Sequence, residues 1–197
     1  MNKEEQFWKQ KGGEYLKPHV GGEFPEGFPV IDYLGYEIGD KNVLEVGCGD
    51  GRLCGAFSPH GYLGLDINQA IINTAGIKHP GYKFQSCSYF DIYPASDVVL
   101  LYTLLLHIAD ENIEQFLKNI TESTKKIVIA EILGRAWRRE GIPPVYNREE
   151  HEYINILKTF GFRLDKHNRF LYARYENFNM QNKSISFMFF EKWTSQC

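Results

Sequence analysis

Glycines and acidic residues are concentrated in the segment V-L-E-V-G-C-G-D-G-R-L, residues 43–53. The glycines follow a short apolar, β-branched run, so the bare backbone can turn sharply and approach a ligand closely. Glu45 precedes the glycines and Asp50 lies among them. Carboxylates at these positions would repel a pyrophosphate, whereas they suit a ligand that carries positive charge. The alternatives are that Glu45 only braces the loop and that Asp50 only begins a helix.

A further acid follows at the spacing of a nucleoside site. Asp66 lies nineteen residues after Gly47 and ends the run Y-L-G-L-D. In a doubly wound sheet, a carboxylate at this place accepts hydrogen bonds from both hydroxyls of a ribose. The loop G-C-G-D-G departs from the dinucleotide pattern G-x-G-x-x-G because its third glycine comes too early, and no Walker pattern is present. These features argue against a nicotinamide dehydrogenase, the rival enzyme class on this architecture.

Arginines and aromatic residues are grouped in G-R-A-W-R-R-E-G-I-P-P-V-Y-N-R, residues 134–148. Arginine binds phosphate and carboxylate groups through paired hydrogen bonds, and aromatic side chains can stack on a ring. We expect a small anionic acceptor here, such as a phosphorylated or nucleotide-linked sugar or a small acid; the alternative is a solvated basic loop. The candidate substrate-binding residues are Arg135, Trp137, Arg138, Arg139, Tyr146 and Arg148.

Short apolar runs that alternate with amphipathic stretches predict the elements that carry these residues. The runs are nearly continuous in apolar character, as expected of strands buried on both faces of a parallel sheet. Two long strands without a helix between them predict an antiparallel pair at the end of the chain. The predicted strands cover residues 42–46, 62–66, 83–86, 97–102, 126–132, 162–175 and 184–193.

Helices are predicted between the strands. Asn68 can cap one helix and Asp110 another, each followed by apolar residues at spacings of three and four. Asn147 and Glu150 resemble a capping box for a third helix, which Gly161 ends. This alternation predicts a doubly wound α/β fold with its ligand at the carboxyl ends of the strands.

Composition excludes several classes of protein. The net charge of −3 provides no general basic field, so nucleic acid is an unlikely partner. The cysteines, Cys48, Cys54, Cys87 and Cys197, include no C-x-x-C pair, so neither a metal site nor a disulfide framework is expected. No apolar run is long enough for a membrane span, and we expect a cytoplasmic protein.

Three segments together resemble a known family. V-L-E-V-G-C-G-D-G, Y-L-G-L-D-I-N and D-V-V-L-L-Y-T-L-L-L-H-I are similar to motifs of class I S-adenosylmethionine (SAM) dependent methyltransferases, over roughly residues 40–133. The resemblance implies a seven-stranded Rossmann-like sheet, parallel except for a C-terminal antiparallel strand, and SAM as cofactor with S-adenosylhomocysteine as product. Residues 1–39 would form an N-terminal helical lid, and residues 40–197 the SAM-binding domain.

The resemblance also implies roles at the cofactor site. The glycine loop would run beside the methionine and ribose, Asp66 would bind the ribose hydroxyls, and Ile67 would pack on the adenine. Family members often place an acid after the third strand to meet the adenine amino group, but Ser88 stands there in this chain. The cofactor-binding candidates are Trp8, Glu45, Gly47, Cys48, Gly49, Asp66, Ile67, Cys87, Ser88, Tyr89, Leu101 and Tyr102.

Methyl transfer requires alignment of donor and acceptor, and an oxygen nucleophile usually also needs a general base. His107 after the fourth strand, Glu131 at the end of the fifth and Tyr15 on the N-terminal helix are the candidates. A packed structural histidine is the alternative for His107, and plain packing is the alternative for the helix. The oligomeric state is left open.

Other functions on the same fold stay open as alternatives. They are a nucleic-acid or protein methyltransferase, a non-catalytic SAM-binding protein and an aminopropyl transferase. A nucleic-acid amino-methyltransferase would carry a D-P-P-Y-like tetrad after the fourth strand, where this chain has Y-T-L-L. An aminopropyl transferase would favour an acidic pocket, whereas the loop after the fifth strand is basic.

Overall fold

The computed structural model describes residues 3–16, 28–88, 91–141, 143–171 and 184–193. Within these ranges, no helix combines the length and apolar character needed to cross a membrane. The strands are β1 Val43–Val46, β2 Tyr62–Asp66, β3 Lys83–Ser86, β4 Val98–Tyr102, β5 Lys126–Ile132, β6 Phe162–Leu171 and β7 Ser184–Lys192. The helices are α1 Lys3–Leu16, α2 Val30–Ile38, α3 Gln69–Lys78, α4 Asp110–Ser123 and α5 Glu150–Thr159.

The strands form one seven-stranded sheet in the order β3-β2-β1-β4-β5-β7-β6. Strands β1 to β5 pair in parallel, and β7 runs antiparallel between β5 and β6. The predicted doubly wound sheet with one antiparallel strand is therefore confirmed. Its order reverses beside β1, because β2 lies on one side of β1 and β4 on the other. This switch point opens a crevice at the carboxyl ends of the strands.

Apolar side chains cover both faces of the sheet. On one face, Phe116 and Leu117 of α4 and Leu157 of α5 are completely buried against it. On the other face, Val30 and Leu34 of α2 are equally buried. Helix α2 thus belongs to the core, so the segment predicted as a lid divides between a core helix and α1.

The segment after β1 contains no α-helix, so Asp50 does not begin one. Between β1 and β2 the chain forms only the short 3₁₀ turns Cys54–Ala56 and Pro59–Gly61. Glycine and proline are the residues least favourable to a helix, and this segment contains five glycines and Pro59. The backbone amides of the loop itself, rather than an α-helix N-terminus, therefore face the crevice.

Capping predictions are correct for one helix and wrong for two. The Asn68 side chain accepts a hydrogen bond from the Ile71 amide at 3.1 Å and caps α3 as expected. Helix α4 begins at Asp110 itself, after Ala109, without a side-chain cap. The capping box of α5 is formed by Glu149 and the residue three positions later. Glu149 lies two residues closer to the helix than the predicted Asn147, whose side-chain amide is buried and donates to the Ile132 carbonyl.

Candidate active site

The glycine loop is held in a left-handed conformation at the end of β1. Gly47, Gly49 and Gly51 have φ angles of 78°, 56° and 80°. The amides of Gly47 and Cys48 both donate to the Leu65 carbonyl, at 2.7 and 2.9 Å, so the turn is fixed to β2. A Cβ atom on Gly47 would lie 2.8 Å from Leu104 Cδ1. The left-handed backbone and the lack of room for a Cβ atom beside Leu104 both require glycine at position 47.

Asp66 ends β2 directly beside this loop. Its Oδ2 accepts the Gly49 amide at 3.1 Å, and its Oδ1 accepts the Asn68 amide at 2.9 Å. Burial raises the pKa of Asp66, while these amide hydrogen bonds oppose the rise. An ionised carboxylate has about four acceptor sites, so two further donors such as the hydroxyls of a ribose fit the same group. Asp66 is fixed in orientation before any ligand arrives.

Glu45 lies beneath the loop rather than on its surface. The side chain is 2% exposed, and its Oε2 accepts a hydrogen bond from the Tyr62 hydroxyl at 2.5 Å. Burial raises the pKa of Glu45 to about 7, although Tyr62 and the charge of Arg52 lower it. A Cβ atom on Gly64 would lie 2.9 Å from the Tyr62 hydroxyl oxygen, so this glycine leaves room for the pair. The contacts of Glu45 are those of a buried residue that supports the glycine loop from below.

A cavity of about 450 Å³ opens beyond Asp66, at the carboxyl end of β3. Ile67 contributes an apolar wall, and Ser88 lies at the end of the turn that follows β3. The Cys87 thiol donates to Asp91 at 3.5 Å, and burial raises its pKa to about 11. The cavity is lined by Glu5, Lys9, Ile67, Ser86, Cys87, Ser88 and Asp91.

Helix α1 lies across this edge of the sheet. The Trp8 backbone carbonyl accepts the Asn68 side-chain amide at 2.9 Å, and the Trp8 ring lies 4.4 Å from the His107 ring. Glu5, one turn earlier, accepts a hydrogen bond from the Ser88 hydroxyl at 2.7 Å. The helix thus contacts the segments that follow β2, β3 and β4.

His107 lies on the 3₁₀ turn after β4, next to Trp8. Desolvation lowers the pKa of His107 to about 3, and the nearby charge of Arg139 lowers it further, against a hydrogen bond to the Pro144 backbone. Its Nδ1 is buried and has no hydrogen-bond partner among the described residues. The imidazole is therefore neutral, and its buried Nδ1 is a hydrogen-bond acceptor without a partner among the described residues.

Glu131 is placed in the core and not in the crevice, which contradicts its expected role as a base. It is 0% exposed, and its Oε1 accepts the amides of Leu105 at 2.6 Å and Leu106 at 3.3 Å. Burial raises the pKa of Glu131 to about 8, against these amide bonds and the charge of Arg148. Its contacts hold the turn that carries His107.

The arginines predicted to bind substrate have different surroundings. Arg148 is 1% exposed and donates to the carbonyls of Leu105 and Ile108, so it is a structural residue and the substrate-binding prediction is wrong for it. Arg138 binds Asp110 through both terminal nitrogens, at 2.7 and 3.0 Å.

The remaining two arginines of this loop are exposed. Arg135 pairs with Glu152. Arg139 has no ion pair within the described part of the chain, and its charge acts on His107. Of the two predicted aromatic residues, Trp137 packs against the α2 face of the sheet, and Tyr146 is half-buried. The predicted basic cluster is thus reduced to Arg139 beside His107.

Several other candidates lie away from the crevice surface. The side chain of Leu101 is buried in the core on the α4 face, and that of Tyr102 on the α2 face under Arg52. Only their backbone can face a ligand. Cys48 is 3% exposed, and burial raises the pKa of its thiol well above the usual range, as expected of an inert residue. The Tyr15 side chain and Tyr89 lie outside the described residues.

Two features of the site were not anticipated from the sequence. Glu5 is 2% exposed and reaches the end of β3, although it lies in a polar N-terminal segment. Thr103, directly after β4, has a φ angle of 47°, which is uncommon for a residue other than glycine. Strained backbone of this kind is concentrated at functional sites, and no sequence signal marks it.

Residues 43–126 match a family model described as a methyltransferase domain. This range begins at β1 and contains the glycine loop, Asp66, the cavity wall and His107. Residues 43–126 are thus similar to a methyltransferase domain, and the seven-stranded sheet has the methyltransferase fold. Among curated protein sequences, no significant relative of this chain was found.

Solved structures show how widely the methyltransferase fold is shared. Magnesium protoporphyrin IX methyltransferase from Synechocystis PCC 6803, solved with bound SAM, has 13% identity and a TM-score of 0.72, over 98% of this chain and 99% of that chain. A Thermotoga maritima protein described as a possible histamine N-methyltransferase has 12% identity and a TM-score of 0.72, over 96% and 100%. A SAM-dependent methyltransferase from Methanosarcina mazei has 16% identity and a TM-score of 0.65, over 84% and 97%.

The chemistry of the crevice agrees with this family. Among the described residues, no group of three His, Cys, Asp or Glu side chains could hold a metal ion. The loop, the Asp66 carboxylate and the adjoining cavity fit a nucleoside that carries a short charged chain. The residues present therefore fit SAM, with its ribose between the loop and the cavity.

Proposed function

We propose that this chain is a class I SAM-dependent methyltransferase, which transfers the methyl group of SAM to an oxygen or nitrogen of a small anionic acceptor. The observation that carries the proposal is the pair of Arg139 and His107 at the carboxyl edge, where one exposed cation acts on one buried, neutral imidazole. Phosphorylated or nucleotide-linked sugars and small acids combine an anionic group with a hydroxyl or amine.

The cofactor would lie along the loop and Asp66. The amides of Gly47 to Gly49 would line its methionine and ribose portions, and the Asp66 carboxylate would accept the ribose hydroxyls. Glu45 would favour the cationic end of the cofactor from beneath the loop by its charge. Bound SAM supplies an electrophilic methyl group on a sulfonium.

The acceptor would lie between Arg139, His107 and Trp8. The Arg139 guanidinium would hold the anionic group and so direct the nucleophilic atom toward the methyl group. Nδ1 of His107 would accept the nucleophile's proton. An anion bound at Arg139 would offset the charge that lowers the His107 pKa, so the base would become stronger when the acceptor binds. Trp8 would exclude water from above.

The experiment compares Arg139→Ala with Arg135→Ala in an assay of S-adenosylhomocysteine formation against a library of small anionic and neutral acceptors. A hydrogen bond to a charged group contributes about 1.5–3 kcal/mol, so Arg139→Ala should raise the acceptor KM about 10- to 100-fold with the KM for SAM unchanged. Arg135 is the matched control because Glu152 already binds it.

Three results would contradict the proposal. An unchanged acceptor KM in Arg139→Ala would show that the anionic group is not held there. Turnover only with a protein or a nucleic acid would move the function to those acceptor classes. S-adenosylhomocysteine binding without turnover across the library would favour a non-catalytic SAM-binding protein.

A further inference from the structure

The two ring nitrogens of His107 have different surroundings. The imidazole is hydrogen-bonded to the backbone of Pro144. Proline has no backbone N–H, so its carbonyl oxygen is the acceptor and the imidazole is the donor. Nδ1 of His107 is buried and has no hydrogen-bond partner among the described residues, so the bond to Pro144 comes from Nε2. A neutral imidazole carries one proton, which this bond places on Nε2, and Nδ1 is left as the acceptor.

The Pro144 carbonyl is held in place by the backbone that follows it. Val145 and Arg139 form an antiparallel bridge in which each amide donates to the other residue's carbonyl, at 3.0 and 3.2 Å. The next amide, that of Tyr146, donates to the Leu106 carbonyl at 2.7 Å. Because Leu106 directly precedes the histidine, these bonds fix the proline carbonyl relative to the imidazole.

The turn that carries His107 is fixed independently, from within the core. The guanidinium of Arg148 donates to the carbonyls of Leu105 and Ile108, at 2.9 and 2.7 Å. Oε1 of Glu131 accepts the Leu105 amide at 2.6 Å. A half-turn of the imidazole about its Cβ–Cγ bond would put a carbon in the place of Nε2 and break the bond to the proline carbonyl. Since both partners of that bond are fixed, the ring orientation and the tautomer are favoured together.

Nδ1 of His107 is a buried acceptor for which the described part of the chain provides no donor. A buried polar atom in this state is destabilising and requires an explanation in a native structure. The Trp8 ring of α1 lies 4.4 Å from the imidazole, so a ligand held beneath α1 would be close to the ring. A hydroxyl or amine of the methyl acceptor would supply the missing donor.

We propose that Pro144 is a positioning residue, whose carbonyl keeps His107 protonated at Nε2 and so makes Nδ1 the nitrogen that receives the proton of the methyl acceptor. The inference rests on the proposed function, because it requires His107 to act as the base. In that step a bond forms between the nucleophilic atom and the methyl carbon. The bond from this carbon to the sulfonium sulfur breaks, and its electron pair stays on sulfur. The proton of the nucleophile passes to Nδ1.

The Pro144 carbonyl also suits the charged imidazole that this transfer produces. An imidazolium has an N–H on both nitrogens, and Nε2–H keeps its acceptor throughout. Desolvation lowers the pKa of His107 to about 3, and the bond to Pro144 opposes this lowering. A hydrogen bond from a charged donor is stronger than one from a neutral donor, so the carbonyl would stabilise the protonated ring more than the neutral one. Pro144 would therefore both select the basic nitrogen and strengthen it.

The first experiment determines the His107 tautomer by NMR of the full chain with ¹⁵N-labelled histidine. Spectra that correlate the ring nitrogens with the carbon-bound ring protons distinguish a protonated Nε2 from a protonated Nδ1, and His107→Gln identifies the signals of this residue. We expect a protonated Nε2 whose proton exchanges slowly with water, because it is bound to a carbonyl. A ring protonated at Nδ1, or an Nε2 proton that exchanges as fast as in free histidine, would overturn the inference.

The second experiment measures S-adenosylhomocysteine formation by Pro144→Gly, with an acceptor that turns over in the library assay. Glycine keeps the carbonyl but frees the backbone that presents it, so kcat should fall about tenfold while the KM for SAM is unchanged. Pro144→Ala, whose backbone is more restricted, should recover most of this activity. Pro80→Gly, at an exposed position between α3 and β3, is the matched control and should keep the wild-type kcat.

His107→Gln separates this inference from the proposed function. Its amide nitrogen can take the place of Nε2 and bind Pro144, but it has no basic atom in the place of Nδ1, so kcat should fall about 100-fold or more. That loss together with wild-type kcat in Pro144→Gly would overturn the inference and leave the proposed function intact. Wild-type kcat in His107→Gln would show that His107 is not the base and would overturn both.

Discussion

The two ends of the crevice are built differently. At the β1–β2 end, backbone amides of the glycine loop and the Asp66 carboxylate form the surface, and short hydrogen bonds hold both. At the β4–β5 end, side chains form the surface, and most of the charged ones are already paired within the protein. The proposed cofactor end is therefore fixed by backbone geometry, whereas the proposed acceptor end depends on which side chains are not already paired.

The largest effect is expected from Gly47→Ala, which would disrupt the end of the crevice that the glycine loop and Asp66 form. Gly47→Ala forces a side chain into a left-handed backbone at φ 78°, with its Cβ 2.8 Å from Leu104 Cδ1. Strain of this kind costs about 1–3 kcal/mol, and with the overlap we expect at least about 100-fold weaker S-adenosylhomocysteine binding by calorimetry. Gly55→Ala is the control, because a Cβ there meets no atom within 4 Å. Equal affinities in the two variants would refute a backbone-defined cofactor end.

Arg148→Met tests whether Arg148 stabilises the fold or binds the methyl acceptor. The substitution leaves the carbonyls of Leu105 and Ile108 without their buried donor and removes a 2.7 Å ion pair with Asp110. Asp110 is 48% exposed and keeps its pair with Arg138, so the main cost is that of two buried carbonyls without a donor. Each such carbonyl costs about 1–3 kcal/mol, so the midpoint of thermal unfolding should fall by roughly 10 °C. A variant with unchanged stability but a raised acceptor KM would instead return Arg148 to the substrate site.

A smaller effect concerns Glu131 and depends on pH. Its folded-state pKa is raised from 4.5 to about 8, so the folded protein retains the proton to higher pH than the unfolded chain. The stability that it contributes is complete below pH 4.5 and is lost as the pH rises through about 8. Glu131→Gln cannot ionise, so its melting temperature relative to wild type should increase from pH 6 to pH 9.

The control for this series is Glu114→Gln on the exposed side of α4, whose melting temperature should follow that of the wild type at every pH. A difference between Glu131→Gln and wild type that stays constant across the series would show that Glu131 does not ionise in this range.

The smallest change is expected at His107. Because its pKa is lowered to about 3, its ring carbon and nitrogen chemical shifts should stay those of a neutral imidazole from pH 5 to 8 in NMR spectra. In Arg139→Ala the pKa should rise, since a cation that lowers it is removed. If the His107 shifts of the wild type titrate near pH 6.5, the claim that burial beside Trp8 lowers the His107 pKa is wrong.

The cofactor end could be predicted from sequence because its determinants are local. The glycines fix the turn, and Asp66 follows at the end of the next strand, so a short stretch of chain contains both. The loop is followed by 3₁₀ turns and not by an α-helix, because five glycines and Pro59 lie there. The motif therefore predicts the turn and the place of its partner acid, but not the structure of the segment between them.

The acceptor end was less predictable because pairing joins distant residues. Arg148 and Asp110 are 38 positions apart, and Arg138 reaches the same aspartate from 28 positions away. Nothing in residues 134–148 distinguishes a paired arginine from an unpaired one. Glu5 and Ser88 are 83 positions apart, so the carboxylate at the end of β3 could be identified only after α1 was placed.

The most direct test of the central claim is titration of wild type and Asp66→Asn with S-adenosylhomocysteine and with NAD. The wild type is expected to bind S-adenosylhomocysteine and not NAD. Loss of charge-assisted hydrogen bonds to the two ribose hydroxyls should weaken S-adenosylhomocysteine binding about 100-fold in Asp66→Asn. Wild-type binding of NAD alone, or equal S-adenosylhomocysteine affinity in both proteins, would contradict a SAM site built on the glycine loop and Asp66.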